Sequence, residues 1–337
     1  MLENNKKRVL ITGGAGFIGA HIVEGVLKNT DWDIVILDRL DISGNLERLR
    51  DIEIWEKEKY RVKFVWWDLK APINNCAKKD IDNINYIWHL AASSHVDRSI
   101  EDPLSFVMDN VVGTCNILNF ARECPNLELF INFNTDECFG PAPDGVFYKE
   151  SDRHNPKNPY SASKVGQWAL GVAFENCYKL PIINTYTMNV YGERQHNEKF
   201  IPMVIRKVLL GEKITIHANK EKTQAGKMHY IHARNVCAAL LFLTENGFHG
   251  YDEFNIVGEK EIDNLALAQF IAKIVGKDLI YELVDFHGSR PGHDLRYALS
   301  GEKLSSAGFS FPKNFEESLE KTIKWHLEPN HRKWLNL

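Results

Sequence analysis

Short runs of apolar residues, each bounded by turn-forming residues, recur through the first half of the chain and alternate with stretches of helical periodicity. Runs this short and this continuously apolar are typical of parallel strands that are buried on both faces. The alternation predicts a doubly wound α/β domain, in which helices cross between parallel strands. The predicted strands span residues 8–12, 33–38, 62–68, 86–91, 129–134 and 181–187.

The pattern becomes irregular after about Asn189, and a second, smaller α/β lobe from the C-terminal half is the simplest interpretation. We predict one domain over residues 1–188, to which a segment at about 228–258 returns, and a lobe formed by residues 189–227 and 259–337. Within the second half we expect helices at 234–245 and 264–275, a strand at 253–257, and polar loops at 196–199 and 219–227.

Composition narrows the classes of partner. The net charge is only −4 over 337 residues and no Lys/Arg-rich block occurs, which argues against nucleic acid and against a charged membrane surface as partners. No apolar run approaches the length of about 20 residues that a membrane span needs, and no signal peptide precedes the first strand, so we expect a cytoplasmic protein. The six cysteines are dispersed without a C-x-x-C pair, so we expect buried free thiols and no metal site.

Glycines at positions 13, 16 and 19 follow the first predicted strand and lie at the start of a helix. Backbone N–H groups and the helix dipole at such a turn can bind a pyrophosphate, although a purely structural strand-to-helix turn has the same pattern. The second predicted strand ends at Asp38, where a carboxylate can bind the ribose hydroxyls of an adenosine. Together these features predict a dinucleotide site.

The residues near Asp38 also bear on which dinucleotide binds. A carboxylate at this position repels the additional phosphate of NADP, which favours NAD. Arg39 follows directly and is in principle able to pair with that phosphate, so the preference is not absolute. Asp68 comes after the third strand and either contacts the adenine amine or is a solvated residue at a strand end.

Tyr160 and Lys164 are spaced i, i+4 on a helix introduced by Asn158 and Pro159, and therefore share one helix face. A neighbouring ammonium group lowers the pKa of a tyrosine, which makes Tyr160 a candidate general base. The same spacing also occurs by chance on surface helices, so the pair alone does not decide the function.

A second candidate cluster, Thr135, Asp136 and Glu137, ends an apolar strand. Ligands bind at the carboxyl ends of the strands in sheets of this type. Two adjacent carboxyl groups beside a hydroxyl are costly in a half-buried position unless they are used, although such a pair elsewhere is usually a solvated turn.

The chain resembles the extended short-chain dehydrogenases/reductases, and within them the dTDP- or UDP-glucose 4,6-dehydratases. The segments that carry this resemblance span almost the whole chain: TGGAGFIG (12–19), HLAASSHVDRS (89–99), DNVVGT (109–114), NTDECFG (134–140), NPYSASK (158–164), NVYGERQ (189–195) and RPGHDLRY (290–297). The glycine turn and the Tyr-x-x-x-Lys pair mark only the superfamily, whereas Thr-Asp-Glu and SHVDRS point to the dehydratases.

The resemblance implies a Rossmann fold, an NAD cofactor and a nucleotide-diphosphate-glucose substrate. It implies that Tyr160 removes the sugar O4 proton while C4 passes hydride to NAD⁺, with Thr135 hydrogen-bonding O4 and Lys164 holding Tyr160 and the nicotinamide ribose. Glu137 would then abstract the C5 proton while Asp136 protonates the departing C6 hydroxyl. Residues implied to contact the cofactor are Gly13, Gly16, Phe17, Ile18, Gly19, Asp38, Asp68, Leu69, Ala91, Tyr160 and Lys164.

For the substrate, the resemblance implies contacts from Ser94, Asn189, Asn255 and Arg296, and assigns the smaller lobe to the nucleotide sugar. Asn189 as a turn cap and Arg296 in a surface ion pair are the structural alternatives, and His95 and Asp97 are expected to be structural. In relatives, helices corresponding to 103–121 and 160–178 form a four-helix interface, which implies a homodimer.

Two positions depart from the pattern of the relatives. Ser93 stands where they usually have Glu or Gln, and Gly226 stands where they have an arginine, for which Lys222 or Lys227 is a possible substitute. The choice between dTDP and UDP therefore stays open. Two other functions also remain: a nucleotide-sugar 4-epimerase or decarboxylase, which needs only Thr135, Tyr160 and Lys164, and an NAD-sensing regulator without turnover.

Overall fold

The apolar runs of the first half form the strands of one central sheet in a computed structural model, which describes residues 6–248, 250–285 and 296–337. The strands of the described residues are β1 (Arg8–Thr12), β2 (Asp33–Asp38), β3 (Val62–Trp66), β4 (Tyr86–His89), β5 (Leu129–Thr135), β6 (Ile182–Thr187), β7 (Asn189–Tyr191), β8 (Ile214–Ala218), β9 (Lys227–His232), β10 (Tyr251–Ile256), β11 (Glu261–Asp263) and β12 (Tyr281–Asp285).

Seven of these strands form a parallel sheet in the order β10-β6-β5-β4-β1-β2-β3. The order reverses beside β1, because β2 and β3 extend the sheet in one direction while β4, β5, β6 and β10 extend it in the other. Thr12 at the end of β1 pairs with Leu37 on one side and His89 on the other. This confirms the predicted doubly wound Rossmann sheet, whose ligand crevice lies at such a reversal.

The helices of the described residues are α1 (Phe17–Asn29), α2 (Glu47–Arg50), α3 (Trp55–Glu58), α4 (Asn75–Asp80), α5 (Val96–Glu101), α6 (Pro103–Val107), α7 (Gly113–Ala121), α8 (Pro159–Tyr178), α9 (Phe200–Leu210), α10 (Ala233–Glu245), α11 (Asn264–Val275), α12 (Glu302–Ser306) and α13 (Phe315–Leu327). A π-helical turn, Met108–Val112, joins α6 to α7, so the helix expected over 103–121 is continuous but locally widened.

Alternate residues of β1 pack on opposite faces of the sheet, which is why the strand is apolar throughout. Val9 and Ile11 belong to a core with side chains of α1 and α10. Leu10 belongs to a second core with side chains of α7 and α8. A third core joins α9, α11 and α13 to β8 in the C-terminal half. There a three-stranded sheet, β11-β9-β7, and a two-stranded sheet, β12-β8, accompany the helices.

The expectation that all six cysteines are buried was wrong. All six thiols are free, but only Cys138 and Cys237 are buried, whereas Cys76 and Cys177 are exposed.

Within residues 6–248, 250–285 and 296–337 no group of three or more His, Cys, Asp or Glu side chains is placed to hold a metal. The helices of the same residues are all too short or too polar to cross a membrane. The cytoplasmic location stays a prediction.

Candidate active site

A cavity of about 480 Å³ opens along the carboxyl edge of the central sheet. It is bordered by the strand ends at Asp38 and Thr135 and by the first turn of α8. The structure brings most of the expected site residues to this one cavity. Those that line it are Gly13, Gly16, Phe17, Ile18, Gly19, Asp38, Asp68, Leu69, Ala91, Ser94, Thr135, Asp136, Glu137, Tyr160, Lys164 and Asn189.

The glycine turn permits a close approach of backbone to ligand. A side chain at Gly19 would bring its Cβ to 2.1 Å from the carbonyl oxygen of Gly13, and Gly13 itself has φ +71°. Gly16 precedes α1, and among the residues that the structure describes no side chain caps the N–H groups of the first turn. This uncapped helix start faces the cavity and fits a pyrophosphate group.

Asp38 is fixed at the end of β2 by two backbone hydrogen bonds. Its Oδ2 accepts from Ala15 N at 2.9 Å and its Oδ1 accepts from Leu40 N at 2.8 Å. Burial raises the pKa of Asp38 above its usual value in spite of these bonds. The carboxyl group is thus held rigidly at the edge of the cavity, one strand away from the glycine turn.

Asp136 lies in a buried position directly after β5. Its Oδ1 accepts hydrogen bonds from Thr135 Oγ1 at 3.0 Å and from Glu137 N at 3.1 Å. Burial, and then the neighbouring charge of Glu137, raise the pKa of Asp136 to about 7. This carboxyl group therefore still carries a proton in a large fraction of molecules near neutral pH.

Glu137 is only partly buried and has a different environment. Its Oε2 accepts a hydrogen bond at 2.9 Å from Asn158 Nδ2. The same Asn158 caps α8, because its Oδ1 accepts from Ser161 N at 2.8 Å while Ser161 Oγ accepts from Asn158 N. One amide therefore fixes both the start of the helix that carries Tyr160 and the carboxylate of Glu137, a function that the sequence had indicated only as a helix start.

Tyr160 lies in the first turn of α8 and is 8% exposed. Ser99 Oγ accepts a hydrogen bond from its backbone N–H, and its side chain is hydrogen-bonded to Thr135. The expectation that the pKa of Tyr160 is lowered was wrong. Burial and then the charge of Glu137 hold the pKa of Tyr160 well above its usual value, and the opposing effect of Thr135 is smaller.

The ammonium group of Lys164 is hydrogen-bonded to acceptors on β5 and α8. Its Nζ donates to the carbonyl oxygen of Phe133 and to Gln167 Oε1, both at 2.6 Å. Burial lowers the pKa of Lys164 to about 7. Sequence reasoning missed Gln167, whose Nε2 in turn donates to Asn132 Oδ1 at 2.6 Å. Its position one helical turn beyond Lys164 was the available signal.

Two of the expected substrate residues do not line the cavity and need correction. Arg296 is buried, and its Nε donates to Glu261 Oε1 at 2.6 Å while NH1 donates to three backbone carbonyls of residues 142–146. Asn255 is fully buried, and its Nδ2 donates to the carbonyls of Tyr148 and Ser300. The guanidinium group of Arg296 and the Nδ2 group of Asn255 are therefore bound within the fold. Residues 290–295 of the RPGHDLRY segment lie outside the described residues.

His95, Ser93 and the two lysines that could replace the missing arginine differ in whether they reach the cavity. His95, which was expected to be structural, lines the cavity, and burial lowers its pKa. Ser93 also lines the cavity. Neither Lys222 nor Lys227, the two substitutes for the missing arginine, is among the residues that border it.

Three comparisons describe what the chain resembles. The family model described as "NAD dependent epimerase/dehydratase family" matches residues 9–257. A dTDP-glucose 4,6-dehydratase of Escherichia coli is 34% identical over 97% of this chain and 95% of its own length. A trifunctional enzyme of Arabidopsis thaliana, whose name includes UDP-glucose 4,6-dehydratase, is 32% identical over 96% of this chain and 47% of its own length.

Among solved structures, the chain is similar to DesIV, a dTDP-glucose 4,6-dehydratase from Streptomyces venezuelae with NAD and TYD bound. The TM-score is 0.86 at 30% identity, and the match covers 97% of this chain and 98% of that one. The similarity therefore extends through both the sheet that carries the catalytic candidates and the C-terminal elements.

Proposed function

This chain belongs to the NAD dependent epimerase/dehydratase family, and we propose on that basis that it is a nucleotide-glucose 4,6-dehydratase. The substrate is dTDP-glucose or UDP-glucose, and the products are the 4-keto-6-deoxy sugar and water. The observation that carries the proposal is the pair of adjacent carboxyl groups, Asp136 and Glu137, which border the same cavity as Tyr160 but have different hydrogen-bond partners.

The first step is oxidation at C4 of the sugar. When bound, held by the glycine turn and Asp38, NAD⁺ would supply the hydride acceptor for C4 and, once reduced, the hydride for C6, and its positive charge would favour the ionised form of Tyr160. Tyr160 takes the proton of the O4 hydroxyl, and Thr135, which is already hydrogen-bonded to Tyr160, holds O4 in place. Lys164, which lines the same cavity, positions Tyr160 and the ribose while Phe133 and Gln167 accept hydrogen bonds from its ammonium group.

The second step is elimination of water across C5 and C6. A ketone at C4 acidifies the C5 proton, and Glu137 takes that proton as the general base. Asp136, whose pKa of about 7 keeps it partly protonated, donates a proton to the departing C6 hydroxyl. Asp136 can act as the acid and Glu137 as the base only if their environments differ, because one carboxyl group must be protonated while the other is ionised.

The two parts of the chain then have separate tasks. We assign residues 1–188, with the segment at about 228–258, to NAD, and residues 189–227 and 259–337 to the nucleotide sugar. Ser94 and Asn189 are proposed to contact the sugar nucleotide, which is supported by their position on the cavity that also holds the catalytic candidates.

Product analysis tests the proposal. We expect purified protein incubated separately with dTDP-glucose and UDP-glucose to form a 4-keto-6-deoxy product from at least one of them, detected by its ultraviolet absorbance in alkali and by mass. The variant Glu137→Gln should lose this product while still reducing NAD⁺. The matched control Glu101→Gln changes an exposed glutamate on α5 and should behave as the wild type.

Other results would identify another function. Formation of a 4-epimer, or loss of carbon dioxide from a uronic acid substrate, with Glu137→Gln unaffected would assign the chain to the epimerases or decarboxylases. Binding of NAD without turnover of either sugar would favour an NAD-sensing regulator. Either outcome contradicts the dehydratase proposal.

We further propose a homodimer formed by the helical segment 103–121 and α8. Its support is the apolar surface on α6, where the side chains of Leu104 and Val107 are 68% and 42% exposed. Light scattering should give twice the chain mass at micromolar concentration, and Leu104→Asp should shift the mass toward the monomer. A monomeric wild type would contradict the proposal.

A further inference from the structure

Arg39 lies at the end of the cavity marked by Asp38, directly after β2, and it is surrounded by carboxylates. Its Nε and NH2 donate to Asp41 Oδ2 at 2.9 and 2.7 Å. Its NH1 and NH2 donate to the two oxygens of Asp109 at 2.5 and 2.7 Å. Asp68 lies 3.5 Å from NH1. All three guanidinium nitrogens are therefore engaged.

The pairing with Asp109 is built into the fold. Asp109 lies in the π-helical turn Met108–Val112 that interrupts the helix between α6 and α7. Its side chain is 8% exposed, and Ser93 Oγ donates to its Oδ2 at 2.6 Å. The neighbouring Asn110 accepts a hydrogen bond from Ser93 N at 2.8 Å. The π turn and the loop after β4 thus hold the Asp109 carboxylate in place from two sides.

This arrangement decides what Arg39 can bind. An arginine directly after the Asp38 position is a ready partner for a 2′-phosphate, because its planar fork matches phosphate oxygens. Here the guanidinium group of Arg39 makes a bidentate contact with the carboxylate of Asp109 instead. This end of the cavity has four carboxyl groups and three cationic groups, so negative charge exceeds positive charge there. The carboxyl groups are Asp38, Asp41, Asp68 and Asp109, and the cationic groups are Arg39, Arg48 and Lys70.

We propose that Asp109 is a specificity-determining residue, which holds Arg39 in an ion pair and thereby makes the site select NAD over NADP. The inference rests on the proposed use of a nicotinamide dinucleotide and goes beyond it. The repulsion expected from Asp38 is only part of the selectivity, because without Asp109 the neighbouring arginine becomes available to the phosphate. Ser93 supports this role through its hydrogen bond to Asp109.

Competitive loading of the full-length protein tests the inference without relying on turnover. The wild type, Asp109→Asn and Asp109→Asn/Arg39→Met are equilibrated with equal concentrations of NAD⁺ and NADP⁺ in excess. After desalting, the protein is denatured and both released nucleotides are quantified. The variant Asp109→Ser, which also removes the carboxylate, serves as a second variant if Asp109→Asn does not fold, and Asp41→Asn, which leaves the contact between Arg39 and Asp109 in place, is the matched control.

We expect NAD to dominate in the wild type and the ratio of bound NADP to NAD to rise about tenfold or more in Asp109→Asn, the gain of one charge-assisted contact. The added Arg39→Met should abolish that gain. An unchanged ratio in the Asp109 variants overturns the inference, and so does an equal gain in Asp41→Asn. So does a gain that persists without Arg39, since removal of negative charge alone would then explain it. A wild type that retains neither nucleotide overturns the cofactor assignment itself.

Discussion

The buried carboxyl of Asp136 makes the stability of the protein depend on pH in a predictable direction. Its pKa is raised from an ordinary value of 3.8 to about 7, chiefly by burial. At about 1.4 kcal/mol per pH unit, ionising this group is roughly 4 kcal/mol harder in the folded protein than in the unfolded chain. The substitution Asp136→Asn removes the ionisation but retains an oxygen that can accept from Thr135 and Glu137.

The raised pKa of Asp136 determines whether the stability of the protein rises or falls with pH. Below the unfolded pKa, near 3.8, Asp136 is protonated in both states and its contribution to stability is fully present. As the pH rises, the unfolded chain loses this proton first, so the contribution is lost progressively until the folded pKa of about 7 is passed. Relative to the wild type, Asp136→Asn should therefore gain up to about 4 kcal/mol across this interval and no more at higher pH.

Urea unfolding of both proteins at a series of pH values measures this difference. Asp144→Asn, at an exposed position in the loop after β5, is a matched control whose difference from the wild type should not depend on pH. Glu137→Gln should reduce the difference, because the charge of Glu137 is the second cause of the raised pKa. A difference between Asp136→Asn and wild type that stays constant, or that shrinks as the pH rises, would refute the reasoning.

Three further outcomes are expected. Tyr160→Phe should lower kcat by roughly 10²–10⁴-fold, the usual contribution of a general base, and a loss below tenfold in steady-state assays would contradict its role. Gln167→Met removes an acceptor of Lys164, so the alkaline limb of the kcat profile should move to lower pH; an unmoved limb argues against coupling. A Cβ at Gly25 would lie 2.3 Å from the sulfur of Cys237, so Gly25→Ala should cost about 1–3 kcal/mol in urea unfolding, and adding Cys237→Ala should recover part of it.

The sheet and its catalytic edge could be predicted because their signals are local. A strand buried on both faces is apolar throughout, as in β1 and β2, and a capping asparagine followed by proline marks the start of α8. Since parallel strands end at one edge, the residues that follow them converge without any knowledge of packing. The cavity residues Asp38, Thr135 and Asp136 were found in this way.

The errors concern side chains whose partners are distant in the chain. Nothing local shows that the charge of Arg296 is taken by Glu261 and by carbonyls near residue 143. The predicted direction of the Tyr160 pKa was wrong for the same reason, because the spacing of Tyr160 and Lys164 shows neither the burial of the tyrosine nor the nearby charge of Glu137, which lies 23 positions earlier. The strand β8 and its partner β12 were missed because they form a small two-stranded sheet without a continuous apolar run.

The fate of the hydrogen on C4 tests the central claim most directly. Substrate deuterated at C4 is converted by the wild-type protein, and the label in the product is located by nuclear magnetic resonance. Oxidation at C4, elimination by Asp136 and Glu137, and hydride return to C6 predict that the deuterium appears in the C6 methyl group of a 4-keto sugar. Deuterium that remains on C4, or that is absent from C6 while the ketone forms, would contradict the account.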